Sequence, residues 1–309
     1  MPQTPYHFDV PEKKKIRLII DTDAKNEADD AFAIVQALLT PKFEIKGIIA
    51  AHFGTHLTRH SMRESFDEIQ KILKIMDMPG SVPVYHGATE ALAGEFSPRA
   101  SEGAECLIRE ALADDPRPLF AIFLGPLTDL ASAYLLEPRI ADRLTAIWIG
   151  GGAWPDGSEE FNLKNDITAA NIVFSSNLPL WQVPRDVYCL MRVSLAELQE
   201  KVEPYGKIGQ YLFDQLVACN DYWADNPVWP SGESWILGDS PAVGLLLDPH
   251  EYCYSDETAP RVADDMTYIH RKHDRLIRVY KQIDPRFILE DFYGKLRLNF
   301  GDSSNRTDG

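Results

Sequence analysis

Residues 16–39 read IRLIIDTDAKNEADDAFAIVQALL, and this stretch decides the fold. Ile16 to Asp21 is a short apolar run of the kind a strand shows when both its faces are buried. An acidic turn follows. Asp29 to Leu39 then has helical spacing and strong helix formers. The alternation continues outward. Strands are expected at Phe43–Ala51, Val82–Tyr85, Leu119–Leu124, Leu144–Ile149, Leu178–Val183 and Leu276–Ile283. Helices are expected at His60–Met76, at Glu102–Ala113 and after Gly125-Pro126, where Pro suits a first turn. Apolar strands alternating with helices predict an α/β fold, an open, mostly parallel sheet with helices on both faces. Ligands of such sheets bind outside the carboxyl ends of the strands. The segments that matter are therefore 21–30, 52–60, 124–128, 150–162 and 184–190.

The chain has 309 residues, 45% hydrophobic and 25% charged, enough to bury a sizeable core. Residues 15–301 are expected to form a single domain, between a flexible leader (1–14) and a flexible tail (302–309). The net charge of -16 argues against nucleic acid and against an anionic membrane surface as partners. No apolar run reaches the roughly 18 residues of a membrane span. The opening MPQTPYHFDVPEKKK lacks an apolar core, so no signal peptide is expected. The 4 Cys are scattered and form no zinc spacing, which fits buried thiols and a cytoplasmic location.

Asp21, Asp23, Glu27, Asp29 and Asp30 crowd one strand end. Carboxylates packed this way repel unless a cation holds them or some are protonated. Oxygen donors favour Ca²⁺ or Mg²⁺ over zinc. The alternative is an acidic loop whose Asp side chains cap the next helix. Capping accounts for one or two of these residues and poorly for Asp21 and Asp23. A phosphatase of the haloacid dehalogenase type also places Asp-x-Asp after a strand, but wants Thr or Val where Lys25 stands here.

Several segments together give a better match. Asp21, Asp23, Asp29 and Asp30 are followed by Gly125-Pro126-Leu127-Thr128-Asp129, then by Ile149-Gly150-Gly151-Gly152. Glu160-Phe161-Asn162 comes next, with Asp166 after it, and the late segment GDSPAVGLLLDP carries Asp239. In order and approximate spacing these resemble the inosine-uridine-preferring nucleoside hydrolase family over most of residues 16–285. The resemblance implies a bound Ca²⁺, held by the carboxylates of Asp23, Asp30 and Asp239 and the backbone carbonyl of Leu124. It implies Asp23 as general base, with Asp29, Glu160 and Asn162 holding ribose hydroxyls. The implied reaction is hydrolysis of the N-glycosidic bond of a ribonucleoside, to ribose and free base. Homodimers or homotetramers are common in the family. A Ca²⁺-dependent ribose or nucleoside binding protein with little or no turnover is the alternative.

The chain also departs from the family pattern. Its acidic turn is longer and holds Lys25, Asn26 and Glu27. Gly238 stands where many members carry a His that helps the base leave, and glycine cannot donate a proton. His52, His56 and His60 recur every four residues. Gly54 disfavours the continuous helix a zinc site on that spacing would need. His52 or His56 is the expected replacement acid. Trp154 and Trp235 are the expected stacking partners of the base.

Overall fold

A computed structural model describes residues 5–227, 229–251 and 253–301. Its strands are β1 (Ile16–Thr22), β2 (Phe43–Ala50), β3 (Val84–His86), β4 (Leu119–Phe123), β5 (Leu144–Ile149) and β6 (Leu180–Val183). They continue as β7 (Arg192–Ser194), β8 (Ser234–Ile236), β9 (Tyr254–Thr258), β10 (Arg261–Val262), β11 (Tyr268–Ile269) and β12 (Leu276–Tyr280). The α-helices are α1 (Asp29–Leu38), α2 (Ser61–Ile75), α3 (Glu102–Ala111), α4 (Thr128–Leu136), α5 (Phe161–Asn165) and α6 (Ile167–Ser175). The later ones are α7 (Arg185–Tyr188), α8 (Leu195–Lys201), α9 (Gly206–Tyr222), α10 (Ser240–Leu247) and α11 (Pro285–Phe300).

The main sheet has 8 strands in the order β3-β2-β1-β4-β5-β6-β12-β9. All its pairs are parallel except β12 with β9, which is antiparallel. Two antiparallel pairs, β7 with β8 and β10 with β11, stand apart from it. The expected open, mostly parallel sheet is therefore what forms. Strands end one to three residues inside several expected limits. Pro83 and Pro179 have no N–H to give a ladder, and β3 and β6 begin just past them.

Successive residues of each strand feed opposite faces, as a period of two demands. Leu18, Ile20, Ile48, Ile122 and Ile147 pack with residues of α1, α2, α9, α10 and α11 on one side. Ile19, Ile49, Phe123 and Trp148 pack with α3, α4 and α6 on the other. Every residue of β1 is buried. So is nearly all of α1, which explains its lack of a polar stripe. The C-terminal helix clamps α1: Gln36 Nε2 donates to Ile288 O at 3.1 Å and to Asp291 Oδ2 at 2.8 Å. Lys295 Nζ ties Asp291 (2.6 Å) to Thr40 Oγ1 (2.8 Å).

Of the expected leader, residues 1–4 lie outside the described residues. Tyr6 donates to Leu39 O at 2.6 Å and accepts from Asn299 Nδ2 at 2.9 Å. The expected tail, 302–309, lies outside the described residues. No helix among the described residues is long and apolar enough to cross a membrane.

Ile122 sits in the middle of β4 with no exposed surface. Ile122→Ala should cost about 2–5 kcal/mol of unfolding free energy, because the rigid layers on both sides cannot close the void. A urea titration followed by circular dichroism measures this; a midpoint within error of wild type would contradict the two-sided packing.

Candidate active site at the strand ends

The site is built where β1, β4, β5 and β6 end. A cavity of about 70 Å³ is lined there by Asp23, Asn26, Glu27, Asp29, Asp30 and Leu124, then Ile149, Glu160, Phe161, Asn162, Tyr188, Gly238 and Asp239. Asp23 follows β1 directly. A Cβ on Gly125 would lie 3.0 Å from Asp23 Cγ, so the Gly-Pro turn lets β4's exit pass close to that carboxylate. Asp29 and Asp30 occupy the first turn of α1, where the helix dipole favours negative charge. The Thr22 hydroxyl donates to Asp30. Asp239 precedes α10, whose Ser240-Pro241 start is a favoured first turn.

Carboxylate oxygens of Asp29, Asp30 and Asp239 lie within 4.8 Å of one another, all three side chains being buried. Burial, then the neighbouring carboxylates Asp30 and Asp29, push Asp23 well above the usual carboxylate range. Asp239 is raised in the same way by burial and by Asp29 and Asp30. Burial raises Asp29 to about 6. Burial and the adjacent Asp29 raise Asp30 to about 8. Asp23 Oδ2 is buried with no hydrogen-bond partner, as are both oxygens of Asp21. Asp21 points to the other face of the sheet, where burial and then Asp129 raise its pKa.

Glu160 caps α5. Its Oε2 accepts from Gly151 N (2.8 Å) and Leu163 N (2.9 Å), and its Oε1 from Asn162 N (3.2 Å) and the Tyr188 hydroxyl (3.0 Å). Asn162 Nδ2 donates to Leu124 O at 2.7 Å and to Ile149 O at 2.9 Å, crossing from β4's end to β5's. Both its amide hydrogens are spent, which leaves Oδ1 as its acceptor. The second lone pair of the Leu124 carbonyl likewise stays open. Asp166 is absorbed by structure: it accepts from Ala169 N, Leu92 N and the Thr128 hydroxyl.

The other expected residues lie elsewhere. His52 is buried and does not line the cavity. Its Nδ1 accepts from Gly54 N at 3.1 Å, so Nε2 carries the proton and donates to Thr128 Oγ1 at 2.9 Å. Burial, with Arg99 nearby, holds its pKa down to about 4. His56 is exposed and does not line the cavity; its ring centroid lies 5.9 Å from that of Phe161, which does. His60 immediately precedes α2 and, among the described residues, no His joins a metal-binding group.

Trp235 is 1% exposed and packs in the core, 4.6 Å from the ring of Trp229. Trp154 donates from Nε1 to Gln182 Oε1 at 3.0 Å and lines a separate groove with His270 and Lys281. Neither tryptophan borders the acidic cavity, because strand and loop direction carry both indoles away from it.

The sequence places Glu27 in the acidic cluster and Phe161 within Glu160-Phe161-Asn162 without a role for either, and Tyr188 is not singled out there. Glu27 comes from the longer turn, whose Lys25 pairs with Glu68 at 3.2 Å and whose Ala28 O accepts from Gln215 Nε2 at 3.0 Å. Tyr188 lies in the segment after β6, where the strand-end rule directs attention.

Comparison with known proteins places the chain in a family and supports the same fold. Residues 18–289 match the model of a family described as inosine-uridine preferring nucleoside hydrolase. The pyrimidine-specific ribonucleoside hydrolase RihA of Salmonella enteritidis PT4 is 27% identical over 263 residues, covering 75% of this chain and 79% of the relative. The purine-preferring ribonucleoside hydrolase from Gardnerella vaginalis superposes with a TM-score of 0.75 at 21% identity, over 92% of this chain and 99% of that one. The plant nucleoside hydrolase PpNRh1 gives a TM-score of 0.74 at 21% identity, over 91% and 98%. With the family model matched from β1 into α11, the chain belongs to the inosine-uridine preferring nucleoside hydrolase family.

Proposed function

We propose that this protein hydrolyses the N-glycosidic bond of ribonucleosides in a Ca²⁺-dependent reaction that yields ribose and the free base. One observation carries the reading: Asp23, Asp29, Asp30 and Asp239 are all buried around a single cavity at the strand ends. Buried, uncompensated carboxylates are costly. The orphaned Asp23 Oδ2, the Asp29–Asp30–Asp239 oxygens and the open lone pair of Leu124 O form an all-oxygen donor set that suits a hard divalent cation. Asp23, Asp30, Asp239 and the Leu124 carbonyl would hold the ion, with Asp29 beside it.

A bound divalent cation supplies an anchor for sugar hydroxyls and a lowered pKa for water. Asp23, with one oxygen free, takes the proton of the attacking water. Asp29 and the Asn162 oxygen accept from ribose hydroxyls, and Glu160 adds its carboxylate to the same wall. Fixing the sugar in this way aims its anomeric carbon at the water. The carboxylates around the ring stabilise the positive charge of the oxocarbenium-like transition state. His56, packed on the cavity-lining Phe161, is the candidate to protonate the leaving base.

Gly238 supports a second reading, a ribose or nucleoside binder with little turnover, since it brings no proton donor to the cavity. Release of reducing sugar from inosine, uridine, adenosine and p-nitrophenyl riboside separates the two. Purine and pyrimidine substrates both belong in the panel because the relatives' names divide on base preference. Chelator-sensitive turnover is expected, and Asp23→Asn should lower kcat about 10²–10⁴-fold with ribose still bound. Turnover indifferent to chelator overturns the Ca²⁺ reading. Absence of turnover on every substrate, with ribose bound, favours the binder.

The carboxylates also predict a pH dependence of stability. Asp29 and Asp30 have folded pKa values of about 6 and about 8, above the ordinary 3.8. Their contribution is fully present below the unfolded value and lost as pH rises through the folded ones. Chelator-treated protein should therefore melt at falling temperature between roughly pH 4 and 8, and Ca²⁺ should restore it. Asp30→Asn should flatten the decline and raise the melting temperature of the chelated protein at pH 8. Scanning calorimetry across that range tests this; a variant less stable than wild type at pH 8 would contradict it.

A further inference from the structure

Tyr188 ends the short helix α7, directly after β6. The helix is tied to the glycine loop after β5, because Arg185 N donates to Gly151 O at 3.0 Å while Gly151 N donates to Glu160 Oε2 at 2.8 Å. The ring of Tyr188 lines the acidic cavity and its hydroxyl reaches Glu160 Oε1 at 3.0 Å. Of the four donors to Glu160 this is the one side-chain group; the remaining donor to Oε1, Asn162 N, stands farther away at 3.2 Å. Gly238 packs against one edge of the ring. A Cβ there would sit 3.0 Å from Tyr188 Cδ2 and 3.3 Å from Asp29 Oδ2. The bare backbone at 238 is thus what lets the ring come this close beside Asp29 while its hydroxyl reaches Glu160.

We propose that Tyr188 is a positioning residue for sugar binding, its hydroxyl fixing Glu160 and its ring fitted against Gly238. The inference rests on the ribonucleoside reading of the site. The phenol stays a donor throughout the working pH range, since burial and the Glu160 charge raise its pKa well above the usual value. Removing the hydroxyl frees Glu160 Oε1 to turn away from the sugar before any bond is broken. The loss therefore falls on binding of the sugar rather than on the chemical step.

Steady-state kinetics on the best riboside and calorimetric titration with ribose test this in the full-length, Ca²⁺-supplemented protein. Tyr188→Phe should raise KM and the ribose Kd together by about tenfold or more, the scale of one hydrogen bond to a charged group, with kcat within about threefold of wild type. Gly238→Ala should act in the same direction by displacing the ring, and should add little in a Tyr188→Ala background. Should Tyr188→Phe not fold, this second pair carries the test alone. Unchanged KM and ribose affinity in Tyr188→Phe overturn the inference, as does a fall in kcat at constant KM, or additive losses in the double variant. Wild-type protein that neither cleaves ribosides nor binds ribose sinks the ribonucleoside reading itself. Failure of Tyr188→Phe to change an active wild type sinks only the role of Tyr188.

Discussion

Four buried aspartates around one small cavity set the terms for the rest of this structure. Each costs free energy when charged and dry, and together they repel. The fold supplies part of the compensation. The amino end of α1 faces Asp29 and Asp30, Thr22 donates to Asp30, and the strand-end geometry lets a carbonyl from β4 join the same space. What remains uncompensated, the unpartnered oxygen of Asp23 and the clustered oxygens of the other three, is a demand for positive charge. A cation or bound protons would relieve that repulsion.

A second network on the other face shows the contrast. Asp129 accepts from Ala88 N and Ser101, and Asp166 from three donors, so these acids are spent on joining loops to helices. Burial alone does not separate the two sets, since both are buried. Hydrogen-bond partners do. The carboxylates of Asp129 and Asp166 are met by protein donors, whereas those of Asp29, Asp30 and Asp239 crowd one another.

The parallel strands were legible because a strand covered on both faces must be mostly apolar, and β1, β4 and β5 are. The acidic residues were legible because nothing local explains Asp21 and Asp23 together. The later part of the chain was less so. The short strands β7, β8, β10 and β11 are two or three residues each, too short to show a period. Trp235 and Trp154 read as stackers because an indole's chemistry is visible in sequence while its direction is not. His52 fails similarly: its role depends on Thr128, 76 residues away, and no local pattern announces that bond. Tyr188 was reachable only through the rule about strand ends, since its meaning depends on a glycine at 238 that it meets in space.

The clamp of α11 on α1 has a consequence for how the protein is made. Asp23, Asp29 and Asp30 leave the ribosome early, while Asp239 and the Gln36–Ile288 and Lys295–Thr40 bonds wait for segments synthesised more than 200 residues later. Contacts so distant along the chain close slowly. Three of the four aspartates are therefore made long before the fourth, and the lining of the cavity is complete only once residue 239 has been synthesised.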